Sequence, residues 1–140
     1  MKLIQMIVVQ GLISKNGKVL IGLRNSPHDP SAHGLWQLPA GKVEFAENPY
    51  QAVIREMKEE TGFKVRPITI LPHVENVLWK HKTYQLQVVL LTYPCRVVGG
   101  KLLVGERENS EWKWITKKDF KKYKFTPGSK QALEWWFGNK

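Results

Sequence analysis

Glu47, Arg55, Glu56, Glu59 and Glu60 all fall within GKVEFAENPYQAVIREMKEETGF, the segment Gly41 to Phe63, in a chain that is otherwise strongly basic. On a helix, residues three and four apart are neighbours, so Glu56, Glu59 and Glu60 share one face. Like charges at that spacing cost about 0.2–0.5 kcal/mol per pair, so their clustering implies a positive partner, and a divalent cation is the obvious candidate. Donors that are all oxygen suit a hard ion such as magnesium, which binds through a few carboxylates together with substrate phosphates. Such an ion neutralises bound phosphate charge, acidifies a bound water and aligns attacking and leaving oxygens, while a nearby carboxylate takes the proton.

The elements around this segment must hold it in place. A helix is expected from Asn48, as N-cap with Pro49 at the first helical position, to Thr61, with Gly62 as the stop. Projected at about 100° per residue, Tyr50, Val53, Ile54 and Met57 form a packing arc, and Ala52, Glu56, Glu59 and Glu60 an adjacent one. Before the helix, 2–13 and 18–23 read as strands joined by the Asn16-Gly17 turn, the first apolar on both faces and therefore buried and central. A turn-rich loop, Asn25 to Gly34, leads through an extended piece, 35–39, into the glycine loop at Gly41. After the helix, 65–79 and 83–93 read as a long hairpin with Lys80-His81-Lys82 at its tip. A Gly99-Gly100 break, a strand over 111–115, a short helix over 117–122 and a terminal helix from Thr126 to Phe137 complete the order. Strands around two separated helices predict an α/β fold, an α/β/α sandwich with a mixed β-sheet and two main helices.

The chain's 140 residues, 42% of them hydrophobic, suit one packed domain spanning 1–140, with no repeat and no segment biased enough to be disordered. The apolar stretch Leu3 to Ile13 is broken by Gln5 and Gln10 and is too short to span a bilayer. It runs into the Ser14–Lys18 turn rather than a small-residue cleavage site, so no membrane partner is expected and the chain is placed in the cytoplasm. The lone Cys95 agrees, and reads as a small buried hydrophobe. A net charge of +10 suits polyanions such as nucleotides, RNA or acidic membrane surfaces. Much of the excess lies in Lys113, Lys117, Lys118, Lys121, Lys122 and Lys124, where Asp119 is the one acid. Charge alone does not choose between these partners.

The spacing G-x5-E-x7-R-E-U-x-E-E-x-G-U, U being apolar, is filled by Gly41, Glu47, Arg55, Glu56, Met57, Glu59, Glu60, Gly62 and Phe63. On these residues, and on Trp36 to Glu44 before them, the chain resembles the Nudix hydrolases, which cleave nucleoside diphosphates linked to another moiety. The resemblance implies that Glu59 and Glu60 hold Mg2+ or Mn2+, with Glu56 a further ligand or the general base and Arg55 placed to orient it. It makes Glu47 a supporting or metal-associated acid, and the main-chain carbonyl of Ala40 a further ligand. Pro39-Ala40-Gly41 departs from the usual Pro-Gly-Gly, so that ligand requires that Ala40 need no positive φ. Lys42 is placed to touch a phosphate. A distant acid is expected from the loop before Trp112, at Glu106 with Glu108 as its neighbour.

Length and the acidic loop look most like the MutT-type nucleoside triphosphate pyrophosphatases, including those that remove oxidised or modified nucleotides, which would release a nucleoside monophosphate and pyrophosphate. Trp79, Tyr84, His28 and His33 are candidates to stack on or read the base. Trp135 and Trp136 are adjacent on the last helix, so at most one faces the core, leaving the other for the base site or an interface. Two alternatives stand beside this reading: a Nudix hydrolase of ADP-ribose, a dinucleotide or capped RNA, and a nucleotide-binding module without catalysis. The main partner is thus a small nucleotide; nucleic acid is not favoured, and a homodimer rests on resemblance alone.

Overall fold

The computed structural model describes residues 1–103 and 109–138. Its centre is the parallel pairing of β1 (Lys2–Lys15) with β7 (Tyr84–Gly100), in register from Lys2 opposite Tyr84 to Ser14 opposite Arg96. Among the described residues the other ladders are antiparallel, with one isolated parallel bridge between Trp36 and Phe125. β2 (Lys18–Arg24) joins β1 only at its turn, and further along β1 the vacated edge is taken by β4 (Ala40–Lys42). β2 also pairs β3 (Trp36–Gln37) and β8 (Asn109–Ile115), while β7 carries β5 (Phe63–Pro67) and β6 (Glu75–Lys80) on its outer edge.

One helix lies on each face. α1 (Pro49–Thr61) packs Ala52, Val53 and Met57 against Val9, Ile13, Leu20 and Cys95, whereas α2 (Ser129–Gly138) packs Ala132, Leu133 and Phe137 against Leu12, Val19, Ile21, Leu38 and Ile115. Alternate residues of β1 therefore serve opposite cores, as the strand's two-residue period requires. This is the α/β/α sandwich with a mixed sheet that the sequence predicts.

Several expectations are corrected. The stretch 65–79 is two strands, not one: Pro67 ends β5, and after the turn β6 pairs with a different part of β7. Gly99-Gly100 is no break but the end of β7, opposite Phe63 and Lys64, with Gly100 at φ 80°. Only the second half of β1 is buried, since Leu3 is 76% and Ile7 47% exposed where α1 does not reach. The short helix expected over 117–122 is present at those limits as a 3₁₀ helix, whereas α2 begins at Ser129 rather than Thr126. On α1, Tyr50 is exposed and Ala52 and Thr61 are core, so the packing arc is rotated from the one read in the sequence.

Candidate active site

Local chemistry sets the α1 helix firmly. The Asn48 side-chain oxygen accepts from the Tyr50 N–H at 2.8 Å, and Gly62, at φ 84°, closes the other end by donating to the Lys58 carbonyl. The Thr61 hydroxyl donates to the Met57 carbonyl at 2.6 Å and accepts from the Phe63 N–H at 3.1 Å, tying helix to β5.

The positive charge among the carboxylates is Arg55. Its Nε and Nη2 donate to the two oxygens of Glu47, each at 2.8 Å, and its Nη1 donates to Glu56 at 2.7 Å and Glu59 at 3.2 Å. A planar guanidinium can serve several acceptors in fixed directions, which a lysine ammonium cannot. The clustering that pointed to a divalent cation is thus met in part by the protein itself. Glu47 also accepts from the Glu44 N–H at 3.0 Å, and the two interactions hold its carboxyl down at about 2. Glu56 is different: its side chain is only 13% exposed, and burial pushes its pKa up against the pull of Arg55. Glu59 is exposed and Glu60 half-buried on the same helix.

β4 brings a backbone edge to this helix. Gly11 donates to the Pro39 carbonyl and Val43 to the Ile7 carbonyl, both at 2.9 Å. Antiparallel neighbours alternate between bonded and non-bonded pairs, so Gln10 opposite Ala40 and Val8 opposite Lys42 are the non-bonded ones. The carbonyls of Ala40 and Lys42 therefore turn away from β1, and that of Lys42 accepts from Arg55 Nη2 at 3.1 Å. Ala40 has no positive φ; among described non-glycine residues only Asn16 and Ala46 do. Gly41 leaves the hollow in which the Glu56 carboxyl lies, since a Cβ there would overlap it.

On the opposite face of the sheet a cleft of about 660 Å³ opens, with Met6, Val8 and Gln10 of β1 as part of its floor. Trp79, Tyr84, His28 and Ala40 line it, so four residues singled out in the sequence meet there. Tyr84 carries the His81 ring stacked at 4.4 Å between centroids. His33 is elsewhere, its Nδ1 accepting from the Ser26 N–H at 3.1 Å. Trp135 and Trp136 are both half-buried against the α2 core, and neither lines this cleft. The Lys42 side chain is exposed, and Glu106 and Glu108 lie outside the described residues. Cys95 is fully buried, and burial raises its thiol to about 12.

Sequence reasoning missed Gln10, Arg24 and Gln37 in the cleft wall. Gln10 is 2% exposed and donates to the Thr92 hydroxyl at 2.8 Å and the Gly128 carbonyl at 3.2 Å, which fixes its orientation. Its one signal was an amide within an apolar run.

Among the described residues no three His, Cys, Asp or Glu side chains converge into a ready metal cage. The donors nonetheless fit a hard cation: clustered carboxylates, Ala40 and Lys42 carbonyls that β1 does not use, that of Lys42 reaching Arg55 of the same helix, and a hollow at Gly41 shaped for Glu56.

A mixed sheet lies between two helices, with an arginine-gathered set of glutamates on one face and an aromatic cleft on the other. The chain matches the NUDIX domain over residues 4–136, and it belongs to that family. It is similar to an ADP-ribose pyrophosphatase of Methanocaldococcus jannaschii, 32% identical over 105 residues that cover 71% of this chain and 56% of that protein. It is also similar to a CTP pyrophosphohydrolase of Escherichia coli, 41% identical over 64 residues, 46% of this chain and 44% of that protein. The chain thus spans about half the length of these two relatives. Among solved structures, the MutT protein from Methanosarcina mazei Go1 superposes with a TM-score of 0.70 at 25% identity, covering 99% of this chain and 96% of that one. Among the described residues no helix is long and apolar enough to cross a membrane.

Proposed function

We propose that the protein hydrolyses a phosphoric anhydride in a nucleoside diphosphate derivative, with a nucleoside triphosphate as the leading substrate and a nucleoside monophosphate and pyrophosphate as products. The observation that carries this reading is the position of Ala40. It lines the aromatic cleft on one side of the sheet, while its neighbour Gly41 receives Glu56 on the other. A nucleoside seated in the cleft, its base against Trp79 and Tyr84, would bring its phosphates over the β4 edge to the glutamates of α1.

Glu56, Glu59, Glu60 and the Ala40 carbonyl would hold a divalent cation, Mg2+ or Mn2+. When bound, such an ion supplies charge neutralisation of the diphosphate and acidification of water. Glu56, kept from full solvation, takes the proton released as water attacks phosphorus. Arg55 positions Glu56 and Glu59, Glu47 anchors Arg55, and Lys42 is near enough along the chain to meet a phosphate. ADP-ribose is the second reading, favoured by the name of the archaeal relative.

A panel of nucleotides with product identification tests this. Magnesium- or manganese-dependent pyrophosphate release from a triphosphate is expected, with Glu59→Gln and Glu60→Gln removing most turnover in a folded protein. Unchanged rates in both variants would sink the metal assignment, and faster turnover of ADP-ribose at equal concentration would replace the substrate.

A further inference from the structure

The basic character of the chain has its own structural centre, away from the glutamates. Ser14, Arg96 and Arg66 stand in one row across β1, β7 and β5, Ser14 opposite Arg96 and Arg96 opposite Arg66. Like charges directly opposite on neighbouring strands repel. Arg96 also lines a cleft of about 410 Å³ with Lys15, Asn16, Lys117 and Trp136, on the face covered by α2. It is separate from the large cleft: Ser14 lies four residues along β1 from Gln10, roughly 13 Å, with the fully buried Leu12 between them.

Among the described residues no carboxylate pairs with Lys15, Arg66, Arg96 or Lys117. Asp119, the acid closest to Lys117 in sequence, is bonded to Thr116 and Lys122 instead. Three cations, Lys15, Arg96 and Lys117, with no acid to balance them around a concavity walled by an indole, and Arg66 beside Arg96 on the next strand, are chemistry for an aromatic anion. A neighbouring cleft of about 440 Å³, built from the end of the 3₁₀ helix and the first turns of α2, adds Lys121, Lys124 and Lys130 against Glu134, beside Tyr123. Both clefts thus combine lysines or an arginine with half-buried aromatic rings, the pairing that holds phosphates while a base stacks.

We propose that the cleft of Lys15, Arg96, Lys117 and Trp136 is a second nucleotide-unit site, with phosphates on the cations and a base on Trp136, and that the unit it takes belongs to a single-stranded polynucleotide. The second cleft decides for a strand over a free nucleotide, because one mononucleotide would leave Lys121, Lys124 and Lys130 unused. This site is independent of the hydrolytic reading, since it shares no residue with the cleft that contains Ala40.

Fluorescence anisotropy with a labelled ten-nucleotide single strand, in a chelator so that nothing is turned over, reads the site directly. Wild-type affinity should fall linearly with salt on logarithmic axes. The Arg96→Gln, Lys117→Gln double variant should weaken binding on the order of tenfold and lower the salt slope by about 1.4, two phosphate contacts at about 0.7 each. Trp136→Leu should weaken binding at an unchanged slope. Hydrolysis of a small nucleotide and the thermal midpoint of the double variant should match wild type. Wild-type affinity and slope in the double variant would overturn the site. Displacement of the strand by an equal concentration of a mononucleotide would overturn its assignment to a polynucleotide.

Discussion

Gly41→Ala offers the sharpest test of how the site is built. A Cβ at Gly41 would stand 2.5 Å from Glu56 Cγ, and closer still to the Glu56 carboxyl, where ordinary contact begins at 3.4 Å. Glu56 must therefore retreat by at least about 1 Å, its carboxyl by more. The backbone at Gly41 has no positive φ, so alanine is tolerated there in itself and the strain falls on the glutamate. Retreat also pulls Glu56 from Arg55 Nη1, now 2.7 Å away. A displacement of about 1 Å at a reacting group costs on the order of 10²-fold, or about 2.7 kcal/mol of barrier. The assay is kcat/KM for metal-dependent pyrophosphate release, with thermal unfolding recorded in parallel, because crowding a packed site also costs about 1–3 kcal/mol of stability. Gly99→Ala is the control: its nearest new contact is 3.7 Å, from the Lys64 Cβ, and its φ is not positive. It should change neither rate nor midpoint. A Gly41→Ala enzyme within a factor of about three of wild type, a barrier change of under about 0.7 kcal/mol, would refute the placement of Glu56 as the group at which chemistry occurs.

Arg55→Lys should lower turnover about 10–100-fold, the usual cost of disturbing a residue that orients ligands, because one ammonium cannot serve Glu47, Glu56, Glu59 and the Lys42 carbonyl together; steady-state kinetics measure it. Glu47 has a folded pKa of about 2 against an ordinary 4.5, so its contribution to stability is complete above pH 4.5 and disappears as pH falls toward 2. A Glu47→Gln variant should therefore lose less stability than wild type across that acid window in denaturant titrations, and parallel profiles would refute the pairing. Asn48→Ala removes the cap on Tyr50 N–H and should destabilise the fold by about 1 kcal/mol in the same titrations.

The helix and its acids were legible because their signals are local. Asn48, Pro49 and Gly62 state the ends of α1 through side-chain and φ chemistry that needs no partner, and the spacing of Glu56, Glu59 and Glu60 follows from the helical period. Strand limits were less legible. Whether 65–79 is one strand or two depends on where β7 offers an edge, and β7 runs to Gly100 only because β5 pairs there. The rotation of the α1 packing arc has the same origin: Tyr50 is apolar enough to bury, but the sheet beneath α1 meets Ala52 and Met57 instead.

The sequence by itself determined which residue types share the α1 face and which ion chemistry they suit, since both follow from spacing along one helix. Only the tertiary structure decided that Glu56 fills the hollow over Gly41, and that Ala40, Trp79, Tyr84 and Gln10 border one cleft. Those facts depend on strands far apart in the chain coming into register, β4 with β1 and β6 with β7, and long-range pairing leaves no mark in the spacing of any one segment.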